Sequence, residues 1–135
     1  MKFNKLIPEL SVSDFGKSLK FYTKILGFKI EYQRKNFAFL SFHGSQLMIE
    51  KINNTWGVGN INYTFGKGIN FQITVSDTMP IINSLKKNGY NLFAELKDNW
   101  YRKNNKLLGC REFLIQDPDG YLLRFSENIG TKNTS

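Results

Sequence analysis

Residues 117–125 read Asp117-Pro118-Asp119-Gly120-Tyr121-Leu122-Leu123-Arg124-Phe125, a tight turn that runs into a strand. Pro118 presets its own φ for the second turn position, and Gly120 supplies the positive φ that leads out of it. On the entry side, Glu112-Phe113-Leu114-Ile115-Gln116 reads as the partner strand. Together they form a hairpin near the C-terminus, and it echoes one earlier in the chain.

That earlier hairpin turns at His43-Gly44, between strands at Phe37–Phe42 and Gln46–Ile52. Before it come a strand at Leu6–Val12 and a helix over Asp14–Leu26, then a strand at Phe28–Tyr32. The helix carries Phe15, Leu19, Tyr22 and Ile25-Leu26 at helical spacing, is capped by Ser13-Asp14 and ends at Gly27. Pro8 inside the first strand implies an edge, a bulge or an arm that leaves its own sheet. After the long polar and aromatic connection Asn53–Lys67, the pattern restarts. Gly68–Val75 is a strand, and Ser76-Asp77 caps a helix over Asp77–Asn88 with Ile81, Ile82 and Leu85, stopping at Gly89. Val12-Ser13-Asp14 recurs as Val75-Ser76-Asp77, and Leu26-Gly27-Phe28 recurs loosely as Asn88-Gly89-Tyr90. Residues Lys97–Leu108 are extra sequence in the second half, rich in Asn, Lys and aromatics.

The chain is therefore one domain, 1–135, of class α+β. It holds two βαβββ modules, about 1–62 and 66–130, whose strands are expected to form one curved mixed sheet. Two copies are too few for a solenoid. At 135 residues, with 41% hydrophobic and 15% aromatic content, the chain buries a substantial core and is not disordered. No apolar run reaches the length of a membrane span. The N-terminus shows no signal-peptide core, so a cytoplasmic location is expected.

Alternation along the strands separates two faces. Ile69, Phe71, Ile73 and Val75 point one way, toward a core under the helices; Gly68, Asn70, Gln72 and Thr74 point the other way. Leu47 and Ile49 alternate with Met48 and Glu50, and Leu123 and Phe125 with Leu122, Arg124 and Ser126. The mixed face either lines a concave cleft or is an ordinary solvated sheet face. Phe37, Trp56, Trp100 and Tyr101 fall at strand ends or in loops. There they either stack on a flat ligand, cover the core or form a subunit interface. With Glu50, Asn70 and Gln72 they make up the candidate binding set.

Other chemistry is poorly supplied. Cys110 is the only cysteine, so there is no internal disulfide, and His43, the only histidine, sits in a turn. No nucleophilic triad can be assembled from them. Gly66-Lys67-Gly68 lacks the rest of a phosphate loop and reads as a strand entry. The net charge of +8 is scattered rather than striped, so nucleic acid is not an expected partner.

The repeated module resembles the vicinal oxygen chelate fold, which includes glyoxalases and extradiol dioxygenases, over Leu6–Ser126. Within it the wording is similar to bleomycin-resistance proteins. The stretches that carry this are Ile7-Pro8-Glu9-Leu10-Ser11-Val12-Ser13-Asp14, Ser18-Leu19-Lys20-Phe21-Tyr22, Gln46-Leu47-Met48-Ile49-Glu50, Gly66–Gln72, Trp100-Tyr101-Arg102, Arg111-Glu112-Phe113 and Asp117–Phe125. The resemblance implies a divalent metal held by four strands in the enzymes, at positions that match Ile7, Glu50, Asn70 and Arg124 here. Ile7 has no donor atom and Arg124 stays cationic, so no metal and no cofactor are expected. The function implied is a metal-free, non-enzymatic protein that sequesters bleomycin-type antibiotics in clefts of a homodimer, with the N-terminal strand exchanged. The alternative is a metal-dependent glyoxalase-like or dioxygenase-like enzyme. Bleomycin is cationic while the chain is basic. Local acidity from Glu9, Glu50, Glu95, Asp98 and Glu112 is what would reconcile the two.

Overall fold

The computed structural model describes residues 1–134. Its strands form two four-stranded sheets rather than the single sheet expected from the repeat. In the first half the elements are β1 (Glu9–Val12), α1 (Phe15–Lys20), a π-helical turn (Phe21–Ile25), β2 (Lys29–Arg34), β3 (Phe37–Phe42) and β4 (Ser45–Lys51). In the second they are β5 (Asn70–Thr74), α2 (Met79–Lys87), β6 (Ala94–Lys103), β7 (Lys106–Gln116) and β8 (Leu122–Asn133). The strand orders β1-β4-β3-β2 and β5-β8-β7-β6 are the same pattern. In each, the first strand pairs parallel to the last and the remaining pairs are antiparallel. Among the described residues, no helix is long and apolar enough to cross a membrane.

The chain divides into two compact units. The first holds residues 1–67 and also the turn Asp117–Tyr121; the second holds the rest. The Asp117–Tyr121 turn therefore belongs to the first unit, while the strands on either side of it belong to the second.

Within the first unit, Asp14 caps α1 by accepting from the Lys17 amide, as its short carboxylate predicts. The π-helical turn closes through Leu26 N–H on Phe21 O, and Phe28 N–H on Tyr22 O completes a wrap around Gly27 at φ +98°. Leu10, Val12, Tyr22, Ala38, Leu40, Leu47 and Ile49 are buried. Phe37 and Phe39, on the opposite face of β3, are buried as well, so this strand is apolar on both faces. Phe39 meets Tyr32 in a stacked pair at 5.2 Å and Phe3 edge-on at 5.3 Å. The segment before β1 lies on the chain's own hairpin: the Asn4 amide donates to Gln46 and the Asn4 side chain to Gly44 O. Pro8 stands just outside β1, its carbonyl accepting from Met48.

The turn is built around Asp117. Oδ1 accepts from the amides of Asp119 and Tyr121, and Oδ2 accepts from the fully buried Tyr22 hydroxyl at 2.8 Å. Asp119 accepts from both the amide and the hydroxyl of Ser13. Tyr121 donates to Ser11 O, and Phe65 N–H to Asp119 O. Both aspartates are thus structural anchors, bonded to the end of β1 and to the first helical segment. Burial pushes the Asp117 carboxyl up to about 6, although its hydrogen bonds hold it down in part.

In the second unit the cap of α2 differs from expectation. Thr78, not Asp77, is the N-cap, and its own side chain caps nothing. Glu127 on β8 instead accepts from the Thr78 amide and hydroxyl, while Asp77 accepts locally from Met79 N–H. A long-range carboxylate has replaced the local cap. The stretch 97–108, extra sequence in the second half, is the β6–β7 hairpin, turned at Asn104 with φ +56°.

Candidate functional site

The seven candidate residues divide between the units: Phe37, Glu50 and Trp56 in the first, Asn70, Gln72, Trp100 and Tyr101 in the second.

In the first unit, Phe37 is 2% exposed and does not present a free ring. The Arg34 guanidinium lies 3.8 Å from its centroid, and Tyr32 packs beside it. The expectation of an open stacking surface at this position is corrected: β3 is covered on both faces. Glu50, directly opposite Phe37 on β4, accepts from the Asn53 side chain. Glu9, Ser11, Glu50 and Trp56 line one small pocket, with Trp56 81% exposed in the loop above it. Partial burial and the charge of Glu50 hold the Glu9 carboxyl above its usual range, against a smaller opposing effect of Arg34. Two carboxylates and an exposed indole on one patch suit a cation with a flat, apolar body.

In the second unit, neighbouring residues of β6 face opposite ways. Trp100, 37% exposed, lies over Gly109, and the Lys132 ammonium sits 4.0 Å from its ring. A Cβ on Gly109 would stand 2.7 Å from the indole, so the glycine is what admits the ring. Tyr101, 42% exposed, points to the other face with Asn99, and both donate to Oε1 of Glu112. The hydrogen bond to Glu112 is the main reason the Tyr101 phenol is held above its usual range. Trp100 and Tyr101 therefore cannot line one face, since adjacent strand residues alternate.

The face that carries Tyr101 is polar. Gln72 pairs with Arg124, which pairs with Leu114; Thr74 pairs with Ser126, which pairs with Glu112. Asn70 lies at the start of the same row on β5, exposed and opposite Leu122. The β7–β8 ladder slips at Gly109/Cys110, and beside that bulge a depression of about 200 Å³ opens, walled by Gln72, Thr74, Cys110, Ser126 and Asn128. From the sequence, Glu112 counts only toward local acidity and Ser126 only toward the mixed face, while Cys110 and Asn128 are not among the site residues. The alternation of β7 and β8 is the signal that could bring them together, and the bulge shifts that alternation.

With the geometry in place, comparison with known proteins places the family. Residues 5–125 match the Glyoxalase/Bleomycin resistance protein/Dioxygenase superfamily, and the chain belongs to it. A curated relative, "Lactoylglutathione lyase" of Haemophilus influenzae, is 26% identical over 92% of both chains. Among solved structures, TioX from Micromonospora sp. ML1 superposes with a TM-score of 0.73 at 18% identity, over 94% of this chain and 100% of that one. A glyoxalase/bleomycin resistance protein/dioxygenase from Alicyclobacillus acidocaldarius gives 0.64 at 21% identity, over 94% and 92%. Both show the same fold.

The four positions that the resemblance implies as metal ligands do not offer the donor set of a divalent cation. Ile7 offers hydrocarbon, Asn70 a neutral amide and Arg124 a guanidinium whose NH1 lies 3.8 Å from Glu112. Glu50 is the one carboxylate among the four. A divalent ion needs several anionic or imidazole donors to compete with its hydration shell.

Proposed function

We propose that this chain is a non-enzymatic binding protein of the superfamily that sequesters a flat, cationic small molecule of the bleomycin type. It works in the cytoplasm as a homodimer. The observation that carries this reading is the Glu9–Glu50 pair beside the exposed Trp56. It supplies the local acidity that a cationic ligand needs on a chain of net charge +8. A bound cation relieves the repulsion between the two carboxylates, and the indole stacks on the ligand's planar part.

The 26% identity to a protein named lactoylglutathione lyase makes a metal-dependent lyase the second reading. The donor set at Ile7, Glu50, Asn70 and Arg124 weighs against it.

The test is calorimetric titration with metal-free and copper-loaded bleomycin, alongside a lyase assay in the presence of added zinc or nickel. Binding without turnover is the expected result. Turnover that depends on the added metal would replace the first reading with the second.

A further inference from the structure

A buried ionic pair on the polar face of the second sheet is left open. Glu112 is 3% exposed, and its Oε1 takes two donors, Tyr101 and Asn99. Its Oε2 has no hydrogen-bond partner, nor has Nε of Arg124, and both atoms are buried. The nearest approach of the two side chains is 3.8 Å, NH1 to Oε2, beyond hydrogen-bonding range. A buried carboxylate oxygen and a buried guanidinium N–H left without partners cost free energy, of order 1–3 kcal/mol each or more when charged. Native proteins keep such pairs rarely.

The surroundings say what would satisfy them. One atom accepts and the other donates, and they belong to side chains that share a sheet face. The adjacent depression is walled by hydroxyl and amide groups of Gln72, Thr74, Ser126 and Asn128 together with the apolar Leu108 and Cys110, with no charged side chain among them. Lys97, opposite Glu112 on β6, lies exposed. Because Glu112 and Arg124 already oppose each other in charge, a fully charged ligand of either sign would meet a like charge. An uncharged group with a donor next to an acceptor meets neither. The Arg124 side chain is 30% exposed, so a rotation of its guanidinium admits such a group. The volume of about 200 Å³ is below that of a site for a drug-sized molecule and fits one functional group of a larger ligand.

We propose that Glu112 and Arg124, whose cross-strand neighbours Ser126 and Gln72 wall this depression, complete a subsite there for a neutral carboxamide or lactam edge. The amide N–H donates to Glu112 Oε2 and the amide C=O accepts from Arg124 Nε–H. The site is contained in the second unit and stands whether or not the chain binds bleomycin.

Cys110 forms part of the wall and is the only cysteine, so it reports occupancy. Maleimide labelling of the intact protein is followed with benzamide, benzoate or benzylamine as probe, together with the nitrogen–proton resonance of Arg124 Nε. Benzamide is expected to slow labelling by about tenfold at ten times its Kd, by mass action on the free pocket. It is also expected to shift the Arg124 resonance, with benzoate and benzylamine doing neither. Glu112→Gln should weaken the protection. Gln72→Ala alters an exposed wall residue, so it carries the same test if the buried substitution fails to fold. No protection by benzamide, as a pocket holding only water would give, overturns the proposal. So does equal protection by all three probes, or protection unchanged in Gln72→Ala.

Discussion

Removing the Tyr22 hydroxyl should expose how the 117–121 turn is held. Tyr22 is fully buried and donates to Asp117 Oδ2 at 2.8 Å. Burial pushes the phenol well above its usual range, so it remains a protonated donor. A hydrogen bond to a charged acceptor contributes about 1.5–3 kcal/mol, and one between neutral groups about 1 kcal/mol. The Asp117 carboxyl rises on folding from 3.8 to about 6. The native state therefore holds this proton more tightly than the unfolded chain does. Its contribution to stability is full below pH 3.8 and is lost as pH rises through about 6. At ~1.4 kcal/mol per unit, that loss amounts to about 3 kcal/mol. The Tyr22 hydroxyl lowers the Asp117 value, so Tyr22→Phe raises it further and extends the loss to higher pH. The expected cost of Tyr22→Phe is thus about 2 kcal/mol at pH 8 and about 1 kcal/mol near pH 4.5. In melting temperature this is roughly 6–10 °C at the higher pH and about half that at the lower. Thermal and urea unfolding at both pH values measure it. In an Asp117→Asn background the pH dependence of the Tyr22→Phe cost should vanish. Equal deficits at both pH values, or a deficit under about 2 °C at pH 8, would refute the account.

Gly120→Ala should cost about 2–4 kcal/mol, because φ is +96° and the new methyl would collide with Thr64; urea unfolding reads the loss. Trp56→Ala should weaken bleomycin binding about tenfold with an unchanged melting temperature, since the indole is almost fully exposed; unchanged affinity by calorimetry would remove Trp56 from the site. Affinity for a cationic ligand should fall as pH drops, beginning above the ordinary carboxylate range because Glu9 is raised, and Glu9→Gln should flatten that profile in the same titrations. Light scattering at micromolar concentration should give twice the chain mass; a monomer would count against the dimeric reading.

Short-range chemistry made most of the fold legible before any coordinates. The Asp-Pro-Asp-Gly turn, the Asp14 cap, and the glycines ending both helices act within a few residues. So do the two-residue alternation of Leu47 with Ile49 and of Leu123 with Phe125. A βαβββ repeat therefore shows in the sequence. The β6–β7 hairpin was legible in principle from Asn104-Asn105, since asparagine tolerates the left-handed conformation that a tight turn needs. The lack of an apolar alternation across Trp100-Tyr101-Arg102 hid it. Other features depended on partners far apart in the chain. Glu127 caps α2 from 49 residues away, and Tyr22 meets Asp117 across 95. The Arg34 guanidinium and Tyr32 cover the Phe37 ring that the sequence left open to ligand. Whether a carboxylate like Glu112 is solvated or buried beside an open arginine depends on strand register and on a bulge. Both follow from the sum of many weak ladder and packing terms, which no local stretch of sequence contains.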